Sequence, residues 1–177
     1  EFKQNIEEQI MIRKLLDAQV QALGVSDQQL ENAFVSLKLN YLFFPIKSDS
    51  SEEEKLRGYE LVLDCLKGLN SGEKTFLSLS KDSNLNPNIQ IQRNVTVQYE
   101  KLIRPLRDLA YSLNPKVVSG IVKTEFGYYV IQVLNRNPLT KPIPFEVEKE
   151  KRALEQKLRA TEIDNYVNAL KLGKELS

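Results

Sequence analysis

Histidine and tryptophan are absent from this sequence, and cysteine occurs once, as Cys65. Without imidazole, Ser-His-Asp and Cys-His catalysis are excluded, as are His-ligated metals and the side chain best suited to moving protons near neutral pH. A single thiol excludes an internal disulfide and any cysteine-based zinc cluster. No apolar run approaches the ~20 residues that cross a bilayer. An excess of one charge is also missing: 25 Lys+Arg stand against 24 Asp+Glu, a net charge of +1. That balance argues against a nucleic-acid partner, which calls for a basic stripe that displaces counterions. No cofactor and no metal is expected. What is present, 41% hydrophobic and 28% charged residues over 177 positions, suits one globular domain, or one domain plus a helical appendage. The opening EFKQNIEEQ shows no secretory signal, so the compartment is not read from the N-terminus.

Periodicity divides the chain. Residues 3–23 read as a helix with Ile6, Ile10, Leu16, Val20 and Leu23 on one side. Ser26 and Gln29 form a capping box for a second helix carrying Leu30, Ala33, Phe34 and Leu37 on one face. Residues 38–46 (KLNYLFFPI) are aromatic and branched and stop at Pro45, a strand signal, with Phe43 and Phe44 expected in the core. Ser51 and Glu54 form another capping box, and Glu52–Glu54 suit a helix N-terminus. The helix that follows carries Leu56, Tyr59, Val62, Leu66 and Leu69, and Asn70-Ser71-Gly72 ends it. Cys65 in this helix reads as a small buried hydrophobe. A short helix is expected around Thr75–Lys81.

Ile89, Ile91, Val95 and Val97 alternate in an Asn-rich stretch, a loop running into an irregular strand. Residues 100–113 read as one short helix with Pro105 near its start, and Asn114-Pro115-Lys116 as a turn. Two strands, Val117–Val122 and Tyr128–Leu134, are joined as a hairpin with Gly127 at the tight position. Three prolines in residues 137–144 imply an extended linker. Residues 145–176 form a long charged helix with a stripe of Val147, Leu154, Leu158, Ile163, Tyr166, Val167 and Leu170.

The fold class is therefore α+β: a small antiparallel sheet with surrounding helices over residues 38–136, preceded by helices in 1–37. The linker 137–144 leads to a C-terminal helix in 145–177. The economical arrangement packs the terminal helices on each other as an all-α module. Apolar stripes at both ends would also permit a homodimer that swaps its terminal helices.

Four stretches resemble a known family. They are KLNYLFFPI, SGEKTFLSLSKDSNLNP, PLRDLAYSLNPKVVSGIVKTEFGYYVIQVLNR and the closing KRALEQKLRATEIDNYVNAL. The third aligns over a long run that includes Ser112-Leu113, Ser119, Thr124 and Phe126-Gly127-Tyr128. The central block resembles a parvulin-type peptidyl-prolyl isomerase (rotamase) domain. The whole chain resembles the SurA/PrsA class of extracytoplasmic folding factors. The resemblance implies chaperoning of unfolded or nascent exported polypeptides in the periplasm or another extracytoplasmic space, including outer-membrane protein assembly.

It also implies a site. The family's two histidines correspond to Tyr41 and Tyr129, and its Asp or Cys to Asn86. Its Gly-rich loop is replaced by Gln90–Val95, with Asn94 near the Leu position. The apolar proline pocket corresponds to Leu102 and Leu106. Thr124 is kept, and Phe126 stands beside it in the last hairpin. Prolyl isomerisation requires lowering a rotational barrier of ~18–20 kcal/mol, by gripping the ring and favouring the twisted amide. With tyrosine at both histidine positions, little or no such activity is expected; the groove, and the crevice between the helical module and the parvulin domain, are expected to serve as surfaces for extended, aromatic-rich segments. The alternatives are an active isomerase with an altered polar centre and a scaffold with a vestigial groove. Tyr41 and Tyr129 are open to two readings: groove residues, with hydroxyls able to bond each other, or core tyrosines. Arg93, Arg104 and Arg107 would lie near the rim, able to bind a peptide carboxylate, with solvated surface as the default.

Overall fold

The computed structural model describes residues 24–175, together with 3–7, 10 and 14. The early described residues are helical, with Ile6 and Ile10 42% and 47% exposed. The rest of the helix expected over 3–23, and its packing, lies outside the described residues.

Helix α1 (Asp27–Ala33) starts on the expected Ser26–Gln29 capping box. It stops at Ala33, and strand β1 runs from Val35 to Pro45. Leu37 therefore belongs to the strand rather than to the helix face, and β1 crosses the expected 37/38 boundary. Branched and aromatic residues dominate from Val35 on, and strand pairing outweighs the helical spacing there.

Helix α2 (Glu52–Ser71) begins on the Ser51–Glu54 box and ends at Gly72, which takes the left-handed φ of 81°. Leu56, expected on its apolar stripe, is 57% exposed. The buried face runs through Gly58, Val62, Cys65 and Leu66 instead. At Gly58 the helix comes so near the sheet that a Cβ would lie 2.5 Å from the Phe44 ring. Helix α3 (Phe76–Lys81) follows, capped by Thr75.

Strand β2 (Gln90–Val97) leads to a 3-10 turn (Tyr99–Lys101) and helix α4 (Arg104–Ser112), with Pro105 in its first turn. The single helix expected over 100–113 is thus split: Leu102 and Ile103 are extended, and a new helix starts at Arg104 with Pro105 in its first turn, where its missing N–H costs nothing. Of the strand expected over 117–122, only Val122–Thr124 forms β3, with an isolated bridge from Val118 to Gln132. Strand β4 (Gly127–Pro138) is longer than expected and takes up the first residues of the proline-rich segment. Leu139 then donates to the Phe34 carbonyl at 2.7 Å. Helix α5 (Val147–Glu175) closes the chain.

The sheet order is β2-β1-β4-β3, antiparallel throughout. β1 is central, and two bulges flank it. Against β2, the register moves from Leu39↔Val95 to Tyr41↔Gln92, so Arg93 and Asn94 oppose a single residue, Asn40. Against β4, Lys38↔Asn135 is followed by Leu39↔Val133. A bulge reverses the facing of what lies beyond it. The expected alternation of Ile89, Ile91, Val95 and Val97 on one side is accordingly broken. Ile89 and Ile91 pack with Val62, Cys65 and Leu66 on the α2 face. Val97 packs on the other face with Leu37, Leu39 and Val133.

The second core is closed by α1, the 3-10 turn, α4 and α5, through Leu30, Tyr99, Leu106, Tyr111, Leu154 and Leu158. The terminal helix α5 meets α1 through an ion pair from Lys151 to Asp27 at 2.6 Å. It also shares this core with the sheet, so residues 137–144 do not separate two cores. Val147, expected on its stripe, is 45% exposed.

Gly127 opens β4 at φ 143°, and a Cβ there would collide with the Phe44 carbonyl. Gly127→Ala is expected to cost about 2 kcal/mol or more. Gly120→Ala, where a Cβ meets nothing within 4 Å, is expected to stay within about 0.5 kcal/mol of wild type. Urea unfolding of the two variants compares them.

Candidate functional site

Between β1, β2 and β4 on one side and the 99–110 segment on the other lies a cavity of about 220 Å³. Its floor is Leu39 and Tyr41 from β1, Val95 and Val97 from β2, and Tyr129 and Ile131 from β4. The backbone ladders hold that half. Its wall is Lys101, Leu102 and Ile103, with Leu106 and Ala110 from α4. Among these described lining residues only Lys101 is charged. An apolar cavity of about 150 Å³ already admits benzene, so this one has room for a proline or a phenyl ring.

The wall is held by Arg107. This residue is 3% exposed, not at a solvated rim as expected. Its Nε and Nη2 donate to the Leu102 carbonyl at 3.3 and 3.0 Å, and its guanidinium lies 5.3 Å from the centre of the Tyr99 ring. Tyr99 in turn meets Tyr111 edge-on at 5.0 Å, and the Tyr111 hydroxyl donates to the Val35 carbonyl. The wall is thereby tied back to the first residue of β1.

Of the site residues named from the sequence, Tyr41, Leu102, Leu106 and Tyr129 come together around the cavity. The other four stand elsewhere. Asn86 sits in the turn before β2, its Oδ1 accepting from the Asn88 amide at 2.9 Å. Asn94 occupies the bulge at φ 55°, its amide donating to Asn40 Oδ1 at 2.9 Å. With Arg93 it lines a second cavity, beside Gly72–Leu77. Thr124 Oγ1 donates to the Gly127 carbonyl at 2.9 Å and accepts from the Phe126 amide at 3.2 Å, which shapes the β3–β4 turn. Arg104 is exposed at the start of α4.

Leu39 and Ile131, two residues from Tyr41 and Tyr129, were within reach of strand periodicity alone. Val95 and Val97 were not, because the bulge that turns them inward has no sequence signature here. Phe44 is buried in the α2-side core, as expected. Phe43 is only half-buried and stacks on Tyr129, with ring centres 4.3 Å apart and planes at 20°.

The Tyr41 and Tyr129 rings lie 6.2 Å apart at 53°. Among the described residues their hydroxyls form no hydrogen bond to each other. Burial pushes the Tyr129 phenol up to about 12 from 10.0, with Tyr41 adding to the rise. Burial raises Tyr41 as well. Both therefore stand as neutral phenols at physiological pH: donors and ring surface, but not bases. Cys65 is buried on the far face with its thiol raised by burial, so it does not serve as a nucleophile.

The family model for the PPIC-type PPIase domain (rotamase) matches residues 41–135, more than half of the chain. The chain belongs to this family. The matched span starts at Tyr41 and contains every lining residue except Leu39. Among solved structures, a PpiC-type peptidyl-prolyl cis-trans isomerase domain is 13% identical with a TM-score of 0.47, covering 61% of this chain and 96% of that one. The peptidylprolyl isomerase PrsA from Bacillus anthracis is also 13% identical at a TM-score of 0.47, covering 99% and 71%. One of two SurA-like chaperones described from Campylobacter jejuni is 15% identical at 0.37, covering 98% and 69%. Comparison with curated proteins finds no match.

A raised phenol pKa means that the folded chain keeps a proton which the unfolded chain releases. Its contribution to stability is present below about pH 10 and is lost as pH rises towards 12. Tyr99 and Tyr111 are raised in the same direction by burial. Tyr129→Phe is expected to make the alkaline fall in the urea midpoint less steep between these limits. Equal slopes for the variant and wild type would contradict the assigned shift.

Proposed function

We propose that this chain is a folding factor that holds unfolded exported polypeptides in the cavity of its rotamase domain, with little isomerase activity left. The observation that carries this reading is a cavity with its apolar lining intact but its polar centre replaced. Leu102 and Leu106 line it beside aliphatic strand residues. At the two positions that resemble the family's histidines stand Tyr41 and Tyr129, neutral phenols held above their usual pKa. Twisting an amide is favoured by donors and dipoles arranged around it. Two bulky rings, one of them stacked on Phe43, occupy space that such an arrangement needs. Apolar burial of a side chain needs no such arrangement and supplies affinity by itself.

In this reading Tyr41, Leu102, Leu106 and Tyr129 contact the client. Thr124 and Phe126 act at a distance by shaping the hairpin that carries Tyr129. Asn86 shapes the turn before β2 and Asn94 the bulge within it. The proposed clients are extended, aromatic-rich segments of unfolded proteins in an extracytoplasmic space, outer-membrane proteins among them. Among the described residues no helix is long and apolar enough to cross a membrane. A second reading, an isomerase with an altered polar centre, is favoured by one observation: the cavity still admits a proline ring.

A proline-turnover assay on a tetrapeptide is expected to give rates indistinguishable from the uncatalysed reaction. Aggregation of an unfolded client without proline is expected to be suppressed. Leu102→Glu, which places a charge on the apolar wall, is expected to weaken that suppression about tenfold. Turnover clearly above background, lost in Leu102→Glu, would instead establish the second reading.

A further inference from the structure

The two halves of the cavity are not held in the same way. The floor is part of the sheet ladder. The wall stands on residues 98–103, which belong to no strand and include one 3-10 turn. Within the matched span, Arg107 holds this segment from inside, through the Leu102 carbonyl. A second hold comes from outside that span. Thr161 of α5 donates its hydroxyl to the Glu100 carbonyl at 2.7 Å, two residues before Leu102. The same helix buries Leu154 and Leu158 in the core that contains Tyr99, which is 2% exposed. The lip of the cavity, Lys101 to Ile103, thus emerges from a turn clamped by α4 on one side and by α5 on the other.

We infer that α5 positions the cavity wall: Thr161, with Leu154 and Leu158 beneath Tyr99, sets where Leu102 and Ile103 stand over Tyr129 and Ile131. The physical reason is an asymmetry of restraint. A strand residue is fixed by bonds to both neighbours. A 3-10 turn has few bonds of its own and takes its position from what is packed against it. The amide of Lys101 donates to Gln98, and the carbonyls of Glu100 and Leu102 are bound by Thr161 and Arg107. When α5 is displaced, one of these two carbonyl anchors is lost and Tyr99 loses its cover, so the wall moves while the floor stays. The terminal helix then acts as more than an appendage to the domain: its docking sets the width of the cavity.

The binding arm of the test rests on the peptide-binding reading above; the spectroscopic arm does not. In the whole chain, Thr161→Val removes the hydroxyl at nearly constant shape, and Thr161→Ser restores it. Val62→Ala, in the core on the opposite face, serves as a control that lowers stability without touching α5. The probe is a fluorescein-labelled, proline-free peptide of alternating Phe and Ser. Thr161→Val is expected to shift the methyl resonances of Leu102 and Ile103 and the ring resonances of Tyr129, and to weaken the peptide about fivefold. Thr161→Ser is expected to reverse both effects. Val62→Ala is expected to lower the urea midpoint with the cavity resonances and the affinity unchanged. Unmoved resonances in Thr161→Val, or equal movement in Val62→Ala, would overturn the positioning role. If wild type binds no peptide, the peptide-binding reading fails, while the resonances still decide whether α5 positions the wall.

Discussion

Strand β1 is hydrogen-bonded along both edges and buried on both faces, and the remaining elements take their places from it. Its eleven residues pair with β4 along their whole length. Alternate side chains go to opposite cores, Leu37 and Leu39 to one and Leu42 and Phe44 to the other. A central strand of this kind tolerates no slip, because moving one residue would send every side chain to the wrong core. The two bulges, one opposite Asn40 and one between Lys38 and Leu39, are therefore built in at defined positions. The first bulge turns Val95 and Val97 towards the cavity. The Asn94 backbone, at φ 55°, is held there by the Asn40 side chain.

The same strand supplies part of the cavity floor. The cavity floor comes from ladder positions, and its shape follows from register rather than from the identity of the two tyrosines. Tyr41 and Tyr129 then modify a floor that would exist without them. They fill part of it with ring surface and leave no group that ionises near neutrality. An absence that first appeared as composition, a chain with no histidine, becomes local chemistry at two residues beside one cavity.

Much of the architecture was legible from short-range physics. The capping boxes at Ser26 and Ser51 were visible because the pairing is local and needs only side chains three residues apart. Gly72 and Gly127 were visible because few residues accept their backbone conformations. The long terminal helix was visible from its length and charge. The misplacements have physical causes as well. Leu37 has the spacing of a helix face, while the pairing that claims it, with Arg136, lies about a hundred residues away in β4. Leu56 and Val147 have the right spacing but project into solvent.

Sequence by itself determined the family, the α+β class and the pair of tyrosines beside a leucine-lined wall. Each of these rests on residue identity and on spacing within a short window. Only the tertiary structure decided which of the named residues meet. Asn86 and Asn94 stay in the turn and the bulge of β2, Arg107 is buried as a clamp, and Thr161 reaches back sixty-one residues to Glu100. Contacts of that kind depend on bulges, on where a helix comes to rest and on which carbonyl is left unpaired. These are properties of the packed chain: Asn94 meets Asn40, and Thr161 meets Glu100, across distances that no short window along the sequence contains.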